Sequence, residues 1–251
     1  MIGVIVLIYG VILGSFYNVV IYRLPLEKSI IRGRSLCPFC KTKLAAKDLI
    51  PVFSQLNLKN RCRYCGEKIS VRYMTIELLT GFLFLFGYNL YGLSWEFLIH
   101  VALCSMLLIT ALIDYDHMVI MDSVLFVFSI PMFLCIVFTK MAAREYLLGA
   151  VIGFSAYLAI YVLAKLIYKK EAFGYGDVLL MGAVGLFLGI DKIIVAVIMP
   201  FYIALGAIIV RKLFGKQIKR KDEIPFGPFI CIAACITSIF GNQITGFFRG
   251  I

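Results

Sequence analysis

WEFLIHVALCSMLLITALIDYDH, residues 95–117, decides what kind of protein this is. Residues 95–113 form an apolar run long enough to cross the roughly 30 Å hydrocarbon core of a bilayer as a helix, and the run ends in two carboxylates, Asp114 and Asp116, beside His117. Similar runs recur at 2–22, 75–91, 120–139, 146–168, 177–190, 193–210 and 227–247. The run at 177–190 is short and glycine-rich (Gly182, Gly185, Gly189). It is either a tilted, partly buried helix or one half of a span fused to the next across Asp191-Lys192. The chain has 251 residues and is 62% apolar, with a mean hydropathy of +0.98, whereas soluble domains are about 45–50% apolar. The period-two alternation of barrel strands is absent. The expected fold is therefore an all-α polytopic membrane protein with about eight transmembrane helices.

A net charge of +11 raises nucleic acid as a partner, but the placement of the charges answers to topology instead. With the runs as drawn, all of the 25 basic residues except Lys140, Arg144, Lys192 and Arg249 fall in or beside the loops 23–74, 114–119, 169–176 and 211–226, on one side of the membrane. Short cytoplasmic loops carry such an excess of Lys and Arg. The expectation is a multi-pass protein of the cytoplasmic membrane, with both termini outside, lipid around it and no nucleic-acid partner. Residues 1–22 lack a basic leader segment and a small-residue cleavage site, so a retained first helix is expected. Three parts follow: a first helix at 1–22, a cytosolic loop domain at 23–74 and a membrane-embedded part at 75–251. No internal repeat or low-complexity tract stands out.

The loop 23–74 holds Cys37-Pro38-Phe39-Cys40 and Cys62-Arg63-Tyr64-Cys65. Each pair can form a tight knuckle presenting two thiolates, and four thiolates close a tetrahedral site suited to structural Zn²⁺. Basic neighbours favour thiolates, and Gly66 suits the left-handed turn that follows such a pair. About 50 residues is too few for a secure core without a staple of this kind. Disulfides are the other reading, and a reducing compartment disfavours them. Cys37, Cys40, Cys62 and Cys65 are the candidate metal ligands. Cys104, Cys135, Cys231 and Cys235 lie within apolar runs and read as packing residues.

Acidic side chains at the edge of a span each need a reason. Asp114 closes the run 95–113, and Asp177 follows Gly174-Tyr175-Gly176. Both are expected at the same depth on the same face. Two carboxylates brought together there would share one proton, which is the arrangement of aspartic proteases. The residues alone leave other readings open. Asp177 can be the cap of a helix beginning at Val178 and Asp122 a cap before Ser123, Asp116 a solvated loop residue, and Glu77 a snorkelling side chain or a partner of Arg72. With only His100 and His117 and no His-Glu-x-x-His, a zincin has no support. A serine hydrolase lacks its Gly-x-Ser-x-Gly elbow.

Taken in order, these segments resemble the bacterial prepilin peptidases, the type IV leader peptidases among the Gly-x-Gly-Asp aspartyl proteases. The resemblance runs through Gly14-Ser15-Phe16-Tyr17-Asn18-Val19-Val20-Ile21-Tyr22-Arg23-Leu24-Pro25, both Cys pairs, Ser70-Val71-Arg72-Tyr73, Glu77-Leu78-Leu79-Thr80-Gly81, Asp114-Tyr115-Asp116-His117, Gly174-Tyr175-Gly176-Asp177 and Ile224-Pro225-Phe226-Gly227-Pro228-Phe229. Each segment is weak alone, and the ordered set is specific. Met121 and Met74 stand where the family usually has Pro, which alters helix entry and removes no reactive group. The resemblance implies Asp114 and Asp177 as the catalytic pair, with Asp116 the competitor for Asp114. It further implies cleavage of type IV prepilin or type II secretion pseudopilin leaders after Gly at the cytosolic membrane face. N-methylation of the new N-terminus would follow, with S-adenosylmethionine as donor and the Cys-bearing loop as the associated region. Two other classes stay in view: a cation- or proton-coupled transporter, and a zinc-stapled assembly scaffold without chemistry.

Overall fold

The structure, a computed structural model, describes residues 1–139, 143–168, 173–214 and 224–249. Lys140, Lys169, Lys170, Lys216, Lys219, Arg220 and Lys221, which entered the charge argument, lie outside the described residues. The helices are α1 (Ile2–Arg23), α2 (Phe53–Asn57), α3 (Arg72–Tyr91), α4 (Trp95–His117), α5 (Asp122–Thr139), α6 (Ala143–Tyr168), α7 (Tyr175–Leu213) and α8 (Gly227–Arg249). Among the described residues the only strand-like pairing is two isolated bridges, Leu36 with Lys43 and Arg61 with Lys68.

The all-helical membrane character stands, while the count of eight spans does not emerge. Among the described residues five helices are long and apolar enough to cross a bilayer: Ile2–Leu26, Arg72–Tyr91, Trp95–His117, Ala143–Ile167 and Tyr175–Leu213. Asp122–Val137 and Gly227–Gly241 are shorter apolar helices. The expected sixth and seventh runs are fused into α7. At 1.5 Å per residue α7 would extend roughly 58 Å if straight, but Gly189 breaks it with φ 71° and ψ 179°. The charged pair Asp191-Lys192 makes no loop, because the Lys192 ammonium donates to the Ser238 carbonyl at 3.2 Å.

The chain divides into two compact units, Met1–Val101 and Ala102–Ile251, with the boundary inside α4. In the first, α1 packs along α3. Glycines set the spacing: a Cβ on Gly10 would lie 2.8 Å from Gly81 Cα, and one on Gly14 would lie 2.8 Å from Glu77 Cα. Small residues four apart let helix backbones approach this closely in lipid, where packing rather than hydrophobicity drives association. Val6, Phe84 and Phe97 fill the gap further along. In the second unit α7 packs against α6, α8 and α5. Gly149 and Gly153 of α6 meet α7 backbone, with would-be Cβ atoms 2.6 Å from Gly185 O and 2.6 Å from Met181 O respectively.

Candidate active site and metal centre

The four-cysteine cluster, a candidate metal centre, belongs to the first unit. Both Cys pairs sit in turns of the same construction. Cys37 N–H donates to Thr42 O and Lys41 N–H to Cys37 O; Cys62 N–H donates to Glu67 O and Gly66 N–H to Cys62 O. Outside them, Leu44 N–H bonds Ser35 O, and Ile69 N–H bonds Asn60 O. Residues 35–44 and 60–69 are thus a short structural repeat, which the sequence reading missed although Phe39 and Tyr64, Lys43 and Lys68, and Leu44 and Ile69 correspond. The residue after each pair is left-handed, Lys41 at φ 59° and Gly66 at φ 74°.

The four sulfurs lie within 4.8 Å of one another, with Cys37 and Cys65 Sγ at 3.9 Å. Ligands 2.3 Å from a tetrahedral Zn²⁺ are about 3.8 Å apart, so the donor set fits that ion. Two of the thiols, Cys40 and Cys62, are biased toward thiolate. The Thr42 hydroxyl and N–H lower Cys40 to about 6, and the Cys65 and Tyr64 N–H groups lower Cys62. Against a hydrogen bond from the Glu67 backbone, burial and the three neighbouring sulfurs push Cys65 up to about 12. A central cation supplies the countercharge that lets all four ionise.

Two carboxylates tie this loop together. Asp48 accepts from Arg63 Nε at 2.7 Å, Tyr64 OH at 3.0 Å and Ala45 N–H at 3.1 Å. Burial alone would raise its carboxyl, but these donors outweigh it and hold it below the usual range. Glu77, in the first turns of α3, neither snorkels nor serves as a simple partner of Arg72. It is buried, with Oε2 accepting Val52 N–H at 2.7 Å and a further hydrogen bond to the Ser15 side chain of α1. Val52 itself is left-handed at φ 61°, strained for a β-branched residue. Nothing in the sequence pattern marks Asp48, whose partners lie 15 and 16 positions away.

The carboxylate site lies wholly in the second unit. Asp114 is in the last turn of α4, where the helix ends with Met118 N–H donating to Asp114 O at 2.8 Å and Met118 turning left-handed at φ 54°. Asp177 is in the first turn of α7, capped by Gly174. Since the helix begins at Tyr175, Asp177 is not the cap of a helix starting at Val178. Asp114 and Asp177 are only 6% and 7% exposed, and their charges interact. Two segments 63 positions apart in sequence thus bring one acid each to one place. Asp116 and Asp122 are exposed, Asp122 in the first turn of α5.

Glycines make the room. Gly227 N–H donates to Asp114 Oδ2 at 2.9 Å, and a Cβ on Gly227 would sit 2.6 Å from that oxygen. A Cβ on Gly174 would lie 3.1 Å from Asp177 Oδ2, and one on Gly176 would lie 2.9 Å from Ile120 Cβ, in the turn after α4. Tyr157, fully buried, lies in the field of Asp177. Its ring makes tilted contacts with Phe173 and Phe201, which both pack on Phe226. Cys231 of α8 lies within the field of both carboxylates, and Cys104 hydrogen-bonds Cys235. The sequence reading missed Tyr157 and this ring cluster, because aromatic residues on apolar runs carry no distinguishing pattern.

Comparison with known proteins agrees with this architecture. Residues 8–91 match the bacterial peptidase A24 N-terminal domain and residues 101–210 the type IV leader peptidase family. The prepilin leader peptidase/N-methyltransferase of Bacillus subtilis (strain 168) is 34% identical over 248 residues, 97% of this chain and 96% of that protein. The protein of the same description from Stutzerimonas stutzeri is 30% identical over 265 residues, 95% of this chain and 91% of that one. That of Myxococcus xanthus (strain DK1622) is 38% identical over 191 residues, 74% of this chain but only 56% of its own length. No solved structure matches the chain. With relatives aligned along nearly its full length and both constituent domains in place, the chain belongs to the type IV leader peptidase family.

Proposed function

We propose that this protein is a membrane aspartic endopeptidase that removes the leader of type IV prepilin-like proteins after Gly, and methylates the new N-terminus. The observation that carries the reading is the buried pair Asp114 and Asp177, each at a helix end and each crowded by a glycine. One carboxylate is ionised and the other holds the shared proton, since neighbouring like charges do not both ionise cheaply. The ionised one takes a proton from water as the oxygen attacks the Gly carbonyl carbon. The protonated one hydrogen-bonds the carbonyl oxygen. The C–N bond of the tetrahedral intermediate then breaks as a proton passes to the leaving amine. This is general acid–base catalysis of the aspartic-protease kind.

Cys37, Cys40, Cys62 and Cys65 hold a structural Zn²⁺ in this reading, and the loop around them supports methylation. S-adenosylmethionine is the methyl donor by family analogy, and no residue is assigned to it. In this reading cleavage occurs on the cytosolic face of the inner membrane, which the excess of Lys and Arg in the loops beside the carboxylates supports. The transporter reading lacks support: the relatives aligned along nearly the whole chain are described as peptidases, and Asp177 lies in the first turn of α7 rather than at the break at Gly189.

The test is co-expression of a prepilin with the wild-type chain and with Asp114→Asn and Asp177→Asn, read by mass spectrometry of the pilin. The wild type yields a product shortened after Gly and heavier by one methyl group. Each variant inserts normally and lowers cleavage by about 10³-fold or more. Wild-type cleavage by both variants refutes the assignment.

A further inference from the structure

The second unit contains a device that the pair of aspartates does not by itself explain. Helix α8 starts at Gly227, and the first N–H groups of a helix have no partner within it. Phe229 and Ile230 both donate to Phe226 O, and Pro228 has no N–H to give. Gly227 N–H is therefore left over, and it goes to Asp114 Oδ2 at 2.9 Å. The fit is close: a methyl group on Gly227 would lie 2.6 Å from Oδ2, 3.0 Å from Cγ and 3.2 Å from Cβ of Asp114. The contact runs over Oδ2, Cγ and Cβ, so only a displacement of the Asp114 side chain or of the start of α8 would relieve it. The residue before Gly227 is anchored separately. The Phe226 ring lies 5.5 Å from Phe173, just before Gly174-Tyr175-Gly176-Asp177, and 5.2 Å from Phe201 in α7.

We propose that the Phe226-Gly227 step is a positioning element for the first carboxylate. Its N–H fixes Oδ2 as an acceptor, and its missing side chain makes the space. Its preceding ring locks the step to the segment bearing the second carboxylate. A consequence follows for the chemistry. With Oδ2 engaged by a donor that cannot turn away, Oδ1 is the oxygen of Asp114 that exchanges a proton with water or the substrate. The element touches no substrate atom and acts through Asp114.

This inference rests on the reading of Asp114 as one of the catalytic pair, and the experiment separates the two. Purified full-length enzyme in lipid nanodiscs is assayed for cleavage of a prepilin with Gly227→Ala, Phe226→Ala, Phe226→Leu and Asp114→Asn, alongside melting temperature. Gly227→Ala is expected to lower kcat about 100-fold, the scale of an ångström-sized misplacement of a reacting group, with KM within threefold of wild type. Phe226→Ala lowers kcat about tenfold, and Phe226→Leu, which keeps an apolar anchor, restores most of it. A merely structural role would lower the melting temperature and leave the kcat of the folded fraction unchanged. Wild-type kcat in Gly227→Ala, with Asp114→Asn inactive, overturns this inference alone. Wild-type kcat in Asp114→Asn overturns the catalytic reading beneath it. If Gly227→Ala does not fold, the Phe226 pair decides: equal, wild-type kcat in both overturns the proposal.

Discussion

Asp114, Asp116, Asp122 and Asp177 share one side chain and differ in where the backbone puts it. Asp116 is two positions beyond Asp114 and so on another face of the same helix. It is exposed where Asp114 is buried. Asp116→Ala is therefore expected to leave prepilin cleavage within about threefold of wild type, while Asp114→Ala abolishes it; the same mass-spectrometric assay reads both. Asp48 offers a second residue-scale test, in the other unit. Its donors hold its carboxyl low, so it stays ionised down through its ordinary titration range. A group with a depressed folded value stabilises above the unfolded value, near pH 4, and loses that contribution only as pH falls through the folded one. Arg63 is 39% exposed on its side of the pair, so the contribution is that of a partly exposed ion pair. Asp48→Asn should speed zinc release to a chelator roughly two- to fivefold. That ratio should hold from pH 8 to pH 5. A ratio that collapses within this window contradicts the clamp.

At the scale of elements, glycine decides which helices touch. Gly185 of α7 faces the Gly149 carbonyl and Ala150 Cα of α6, so an added methyl meets backbone that cannot rotate aside. Gly206, farther along α7, has nothing within 4 Å of its would-be Cβ. Gly185→Ala is expected to destabilise the protein by about 1–3 kcal/mol, the cost of overpacking, and Gly206→Ala to change little; thermal unfolding in one detergent compares them directly. The sequence made these elements legible to different degrees. Long apolar runs marked the helices, because a bilayer dictates length and composition together. Gly185 and Gly189 were visible as a glycine-rich stretch, but not as a helix contact and a kink. Which glycine meets a neighbour and which one breaks the backbone depends on packing across helices. The fusion of two runs into α7 was one of two readings left open by the residues, and packing decides between them: Ser238 O receives the Lys192 ammonium. Asp114 and Asp177 were legible only through order and resemblance, because a buried acid and a helix cap share the same local pattern. Gly227 stood in the quoted motif, but its N–H acquires meaning only when α8 starts against α4.

Across the whole molecule the two kinds of chemistry lie in separate compact units. The cysteine cluster, Asp48 and Glu77 fall within Met1–Val101, and Asp114, Asp177 and Gly227 within Ala102–Ile251. Besides its knuckles and the Asp48 and Glu77 hydrogen bonds, the first unit's loop has little regular structure: α2 is five residues long, and its strand pairing is two single bridges. With zinc held by the four cysteines, as proposed, a loop with so small a core would draw on the metal for its folding free energy. The second unit rests instead on α7 packed among α5, α6 and α8. Removal of zinc should therefore act unevenly. Stripping the metal, or changing Cys37 and Cys62 together to Ser, is expected to expose residues 35–69 to hydrogen exchange within seconds. N-methylation should fall more than tenfold, whereas the protection of α7 should remain and cleavage of a prepilin should stay within about fivefold of wild type. Hydrogen exchange by mass spectrometry and the two activities, measured on one preparation, check this together. Loss of both activities with intact protection of α7 would mean that the cysteine loop serves proteolysis as well, and that the division between the units is one of folding but not of function.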